Sequence, residues 1–191
     1  MRAQIAILAV LSAAFATASP ANAQAGITGY YVGTNTKLPN GGRPAKHIAF
    51  PPIKDWNTLR ITLQRSPCFG RCPTYKVEIH GDGTVIYRGG SFVAVTGERS
   101  VKIAPEKVRD LYTLFRKADY FWLNDSYTAQ VTDLPSFTTS ISYDGHSKSV
   151  RDYAGRMIGM PEIVGELELA IDDAANSEQW TVGKNGPRAP K

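Results

Sequence analysis

Polar and apolar residues first alternate along this chain with the period of a strand. Leu59, Ile61 and Leu63 are separated by Arg60, Thr62 and Gln64, the pattern of a strand with one buried face. Tyr75, Val77 and Ile79 alternate with Lys76, Glu78 and His80 in the same way. Gly81-Asp82-Gly83 is a turn, and Thr84 to Arg88 returns. A three-residue loop with Gly83 in a left-handed bulge pairs His80 with Thr84. It sets Ile79 opposite Val85, Val77 opposite Tyr87 and Tyr75 opposite Gly89. Every apolar residue of the hairpin except Ile86 then shares one face, and a one-residue slip would turn them all outward. Phe92 to Val95 and Arg99 to Ile103 read as a further short pair around Thr96-Gly97-Glu98.

The period then lengthens. Val108, Leu111, Tyr112 and Phe115 stand at i, i+3, i+4 and i+7, one apolar stripe of a helix. Pro105 suits its first turn and Glu106 complements its dipole. Ala118 and Tyr120-Phe121-Trp122 extend the burial, and residues 124–135 read as a polar loop closed by Pro135. A second hairpin follows: Phe137, Thr139, Ile141 and Tyr143 alternate with small polar residues, Asp144-Gly145 turns, and His146 to Tyr153 returns. Its register stays open, because Val150 and Tyr153 fall on opposite faces. The last helix starts at Pro161, with Ile163 and Val164 ahead of the stripe Leu167, Ala170, Ile171 and Ala174. Every link between strands reads as too short for a parallel crossover. The predicted fold is α+β, an antiparallel sheet of hairpins with two amphipathic helices packed on one face.

The ends change the picture. Arg2, the apolar run Ile5 to Ala16 and the small-residue site Ser19-Pro20-Ala21-Asn22-Ala23 make residues 1–23 a secretory signal, with the mature chain starting near Gln24. The run is too short for a membrane span. Residues 24–56 are an irregular arm rich in Gly, Pro and Asn, which Tyr30, Tyr31, Phe50 and Trp56 could pin in places. Residues 57–180 form a single domain, and residues 181–191 a disordered basic tail. The net charge of +5 resides in these ends: 24–56 and 181–191 each carry +3, and 57–180 carries −2. A nucleic-acid-binding domain carries its basic face on the folded body, so charge and export both point away from nucleic acid.

The chain has two cysteines, Cys68 and Cys72, in the segment Pro67-Cys68-Phe69-Gly70-Arg71-Cys72-Pro73-Thr74-Tyr75. In a strand, residues four apart are roughly 13 Å apart, too far for a bridge. The segment must therefore curl, which Gly70 and the flanking prolines allow. Three readings follow. A structural disulfide suits an exported chain and closes a five-residue loop. A redox pair would draw on Arg71 to lower a thiol pKa, although Cys-x-x-Cys is the common oxidoreductase spacing. A soft-metal site could combine two thiolates with a histidine, His80 or His146, to hold an ion such as Cu(I).

The final helix carries Glu162, Glu166, Glu168, Asp172 and Asp173 as its only charges through Ala175. Glu162/Glu166 and Glu168/Asp172 are like-charge pairs at i, i+4, mildly destabilising. This acidic face is either solvated or a docking face for a basic partner or cations. The nucleophile elbow, zinc-protease, phosphate-loop and dinucleotide motifs do not occur. His146, Asp152 and several serines share one hairpin, and a hydrolase assembled from distant residues stays open, because geometry decides that.

Cys-x-x-x-Cys-Pro resembles the copper motif of the Sco-type copper chaperones over six residues. A broader resemblance covers roughly residues 58–175. Pro67, Cys68, Gly70, Cys72, Pro73, Tyr75, Gly81, Asp82 and Gly83, with the order of elements after them, resemble an uncharacterised bacterial domain family of unknown function, often found in exported proteins. That resemblance implies no activity and assigns no catalytic residue. The expectation is a periplasmic or secreted, non-catalytic binding module needing no cofactor, its partner a cell-envelope or exported component. The competing expectation is a thiol or copper-type metal handler working through Cys68 and Cys72.

Overall fold

In the computed structural model, residues 34–182 are described. Residues 1–23, read above as a secretory signal, and almost all of the expected basic tail lie outside them. Among these residues seven strands form one sheet: β1 (Arg60–Arg65), β2 (Tyr75–His80), β3 (Thr84–Gly89), β4 (Gly97–Lys102), β5 (Ser126–Thr128), β6 (Phe137–Tyr143) and β7 (His146–Tyr153). Their spatial order is β4-β3-β2-β1-β6-β7-β5. Among the described residues, three α-helices accompany these strands: α1 (Pro105–Lys117), α2 (Glu162–Ala175) and the single turn α3 (Glu178–Thr181). The fold is α+β.

The β2–β3 hairpin pairs Ile79 with Val85, Val77 with Tyr87 and Tyr75 with Gly89, the register that the alternating faces predict. Gly83 has φ +82°, and an added Cβ would sit inside van der Waals contact of the Ile103 carbonyl. Backbone strain and steric overlap act together there, so Gly83→Ala is expected to cost about 1–3 kcal/mol. The check is a lower urea midpoint at unchanged slope. In the second hairpin Tyr143 pairs with His146 across Asp144 (φ +48°) and Gly145 (φ +78°), the two left-handed residues of a type I′ turn.

Two expectations are corrected. Phe92 to Val95 does not pair with Arg99 to Ile103. β4 runs back along β3, Val101 opposite Val85, while the Ala94 and Val95 N–H groups donate to Thr181 and Trp180 carbonyls at 3.2 and 2.9 Å. Short apolar runs signal burial, and here the burial comes from the end of the domain, where Trp180 stacks on Tyr87 at 4.8 Å. The sheet is also not wholly antiparallel. Within the supposed polar loop 124–135, β5 runs parallel to β7, with Tyr127 opposite Asp152, and both Tyr127 and Val131 are buried. The connection passes through β6, so no short link had to reverse direction.

The core is one continuous cluster. Ile61, Leu63, Val77, Ile79, Val85, Tyr87, Ile141 and Val150 of the sheet join Val108, Leu111, Phe115, Val164, Leu167 and Ile171 of the helices. α2 contacts β1, β2, β6 and α1. Residues 34–56 contain no strand but lie against the body. Tyr143 donates its hydroxyl to the Pro51 carbonyl (2.7 Å), Trp122 its indole N–H to Pro44 (2.9 Å), and Tyr127 its hydroxyl to Gly42 (2.6 Å). Phe50 sits edge-on to Phe121 and Tyr112.

Candidate functional site

Cys68 and Cys72 form a disulfide with Cα atoms 5.7 Å apart. Gly70 at the centre has φ +150°, a region that side chains disfavour, and its N–H donates to the Cys68 carbonyl at 3.0 Å. Pro67, Phe69, Gly70, Arg71 and Pro73 are exposed around the bridge, Phe69 at 86%. The Arg71 guanidinium stands 5.9 Å from the ring of Phe92, itself half exposed. The loop is tied to a neighbouring segment: the Phe69 N–H donates to Asp133 carbonyl (3.2 Å), the Ser66 N–H to Ser136 carbonyl (2.9 Å), and the Ser136 N–H to Ser66 Oγ (2.8 Å). The staple thus braces residues 133–136.

Those residues form one wall of a cavity of about 350 Å³, lined by Leu134, Pro135 and Phe137 on one side and by Met157, Gly165 and Leu169 on the other. Arg65 at the end of β1, Asp152 near the end of β7, Arg156 and Glu168 supply its polar groups. Removing the Cys68–Cys72 bridge frees a five-residue loop, worth about 2 kcal/mol in chain entropy. Cys68→Ser/Cys72→Ser is therefore expected to lower Tm by roughly 4–8 °C. It should also speed amide exchange in residues 133–136; unchanged exchange there would separate the staple from the wall.

The acidic helix divides. Glu162, Glu166 and Asp173 are exposed, whereas Glu168 is 8% exposed and Asp172 faces the sheet. Asp172 accepts from Arg65 Nη2 (2.6 Å), from the Tyr75 hydroxyl (2.9 and 3.0 Å) and from Ser177 Oγ (2.6 Å). The motif tyrosine and the acidic helix, separate features in the sequence, thus meet at one carboxylate. Burial alone would disfavour charge on Arg65, but Asp172 more than offsets this and holds its pKa above the ordinary value. Burial and the same carboxylate push the Tyr75 hydroxyl up as well.

Glu168 has no such partner: among the described residues no group donates a hydrogen bond to it. Burial first, and then the Asp152 carboxylate, push its pKa up to about 8, so it is mostly protonated at neutral pH. Asp152 is also raised by burial, although its Oδ1 accepts the Gly155 N–H at 2.7 Å. Arg156 is exposed and reaches over Gly165, where the absence of a side chain lets it lie close to α2. His146 opens β7 and Asp152 lies near its end, so the hairpin does not bring them together. Sequence reading missed Arg65 and Arg156 as site residues. The like-charge pair Glu168/Asp172 was the one available signal, since a helix that places two acids one turn apart has a reason for at least one of them.

The fold is thus an α+β domain with a mainly apolar pocket beside α2 that carries a few polar groups. The chain belongs to the family described as Domain of unknown function (DUF6438), whose match spans residues 59–175. That span includes the whole cysteine segment, Arg65, Asp152, Glu168 and Asp172. No curated protein matches the chain. Among the described residues, no helix is long and apolar enough to cross a membrane, and no group of three or more His, Cys, Asp or Glu side chains is placed to hold a metal ion.

Proposed function

We propose that this chain is an exported, non-catalytic binding module whose ligand site is the cavity beside α2. One observation carries the reading: Glu168 is only 8% exposed and accepts no hydrogen bond from the described residues, so its carboxyl oxygens are left to a mainly apolar cavity. Polar groups held inside a fold are almost always partnered, and here the partner has to come from the cavity, as solvent or as a ligand. In this reading the two long helices cover one face of the sheet, and the Cys68–Cys72 staple keeps the 133–136 wall in place. The motif residues Pro67, Gly70, Arg71 and Pro73 shape that turn. Export rests on residues 1–23, and a disulfide suits an oxidising compartment. Glu162, Glu166 and Asp173 remain available as a docking face for a basic cell-envelope or exported partner.

The test is NMR shift mapping with a set of small amphipathic molecules. Shifts confined to Phe137, Gly155, Met157 and Leu169 support the reading. A set that moves none of these resonances, or moves only those of Phe69 and Phe92, overturns it.

The second reading, thiol-redox or soft-metal chemistry at Cys68 and Cys72, draws on the partly exposed bridge beside Arg71. Thiol alkylation with intact mass, on protein purified from its native compartment, decides between them. A bridge that resists mild reductant and carries no metal supports a structural staple. A readily reduced pair, or copurifying copper or zinc, moves the function to the cysteines.

A further inference from the structure

We propose, resting on the binding reading above, that the cavity beside α2 takes a small organic ammonium ion, a protonated primary amine on an apolar body, with its nitrogen between the carboxyl groups of Asp152 and Glu168. The cavity, about 350 Å³, is at the small end of the range for ligand pockets. Its walls are mostly apolar, with Leu134, Phe137, Met157 and Leu169 placed to cover a short alkyl or aryl body.

The choice of cation follows from the charged groups that face Glu168. Asp152 faces it from β7, Arg65 from β1, Arg156 from the 155–158 turn, Asp172 from its own helix, and the Tyr120 hydroxyl from the turn after α1. Arg65 is committed to Asp172 at 2.6 Å. Tyr120 is committed to Thr139, its hydroxyl 2.8 Å from the carbonyl. Arg156 lies over Gly165 with its side chain exposed, and it forms no ion pair with either acid. Neither arginine donates to Glu168, and Asp152 repels its ionised form. An anionic ligand would set its charge against the Asp152 carboxylate. A neutral ligand would leave Glu168 protonated and bring nothing to balance Asp152. An ammonium brings three N–H donors and the missing charge, and turns the pair into its own binding site.

Proton balance gives the proposal a distinctive signature. Glu168 must ionise to pair its charge with the ammonium, so each ligand that binds well below pH 8 releases nearly one proton to solvent. Affinity then climbs with pH, by up to about tenfold per unit between pH 6 and 8.

The experiment is calorimetry and NMR mapping with three probes that share a phenethyl body: phenethylammonium, 2-phenylethanol and 3-phenylpropanoate. Titrations run at pH 6, 7 and 8 in two buffers of different ionisation enthalpy, which reports the protons released. The expected result is phenethylammonium binding in the cavity with proton release and the rising pH profile. Glu168→Gln should lower its affinity at pH 8 at least tenfold and flatten the profile, with circular dichroism confirming the fold. Asp152→Asn, which keeps the acceptor for Gly155, should weaken binding without abolishing the pH slope. A flat pH profile, or Glu168→Gln binding as well as wild type, overturns the proposal. If the alcohol or carboxylate shifts the cavity resonances and the ammonium does not, the cation assignment falls and the binding pocket survives. If no probe moves those resonances, both fall.

Discussion

Asp172→Ala is expected to lower the free energy of unfolding by about 3–5 kcal/mol, the usual cost of stripping one partner from a buried ion pair. Asp172 serves three donors at once: Arg65, Tyr75 and Ser177. Its side chain is 15% exposed and that of Arg65 is 22% exposed, so water does little to replace the carboxylate. The truncation strands a guanidinium whose Nε already lacks a partner, together with two buried hydroxyls. The position of Asp172 makes the same point from the opposite side. It lies in the last turn of α2, where the helix dipole disfavours a negative charge, so the helix alone gains nothing from it. Urea unfolding monitored by tryptophan fluorescence measures the loss. Arg65→Met/Asp172→Leu should recover most of it, because replacing both members of a buried pair is far less costly than orphaning one. A double variant as unstable as Asp172→Ala would mean that the cost lies with Tyr75 and Ser177 instead.

The sequence made much of this fold legible where partners are local. The β2–β3 register followed from the placement of Ile79, Val77, Val85 and Tyr87, because a hairpin confines the choice to two or three loop lengths. The apolar stripe of α1 was legible for a similar reason: Val108, Leu111, Tyr112 and Phe115 are all buried. What was misread depends on distant chain. Phe92 to Val95 looks like a strand because it is apolar, but its backbone partners are Trp180 and Thr181. β5 spans three residues, too few to show any period, and its pairing with β7 depends on β6 lying between them in the chain. The site was harder still. Glu168 and Asp172 point inward only because Arg65 and the cavity are there to receive them, and neither is visible in the pattern of α2 itself. A carboxyl group on the buried side of a helix reads in one dimension like any other acid on its polar side.

Glu168→Gln should reverse its effect on stability with pH. The unfolded chain protonates this side chain around the ordinary value of 4.5, while the folded chain holds the proton up to about 8. Between these values the folded state binds more protons, so this group's contribution is fully present below 4.5 and is lost as pH rises through 8. At one decade of proton affinity per unit, the loss from pH 4 to pH 8 is on the order of 4 kcal/mol. A glutamine keeps the shape of the protonated acid and does not ionise. At pH 4 the variant should match wild type or fall slightly below it, since an amide also seeks partners in a buried site. At pH 8 it should be the more stable protein, and the crossover should lie between. Asp152, also raised by burial, leaves the variant some pH dependence of its own, shallower once its neighbour can no longer carry charge. Urea midpoints at unit pH steps from 4 to 8 test this directly. Parallel wild-type and variant profiles would show that Glu168 titrates as an ordinary solvated acid, removing the basis for a cavity held ready for a ligand. A crossover would show that the domain carries a destabilised acid at neutral to alkaline pH, the kind of cost that a fold keeps when the group serves something other than folding.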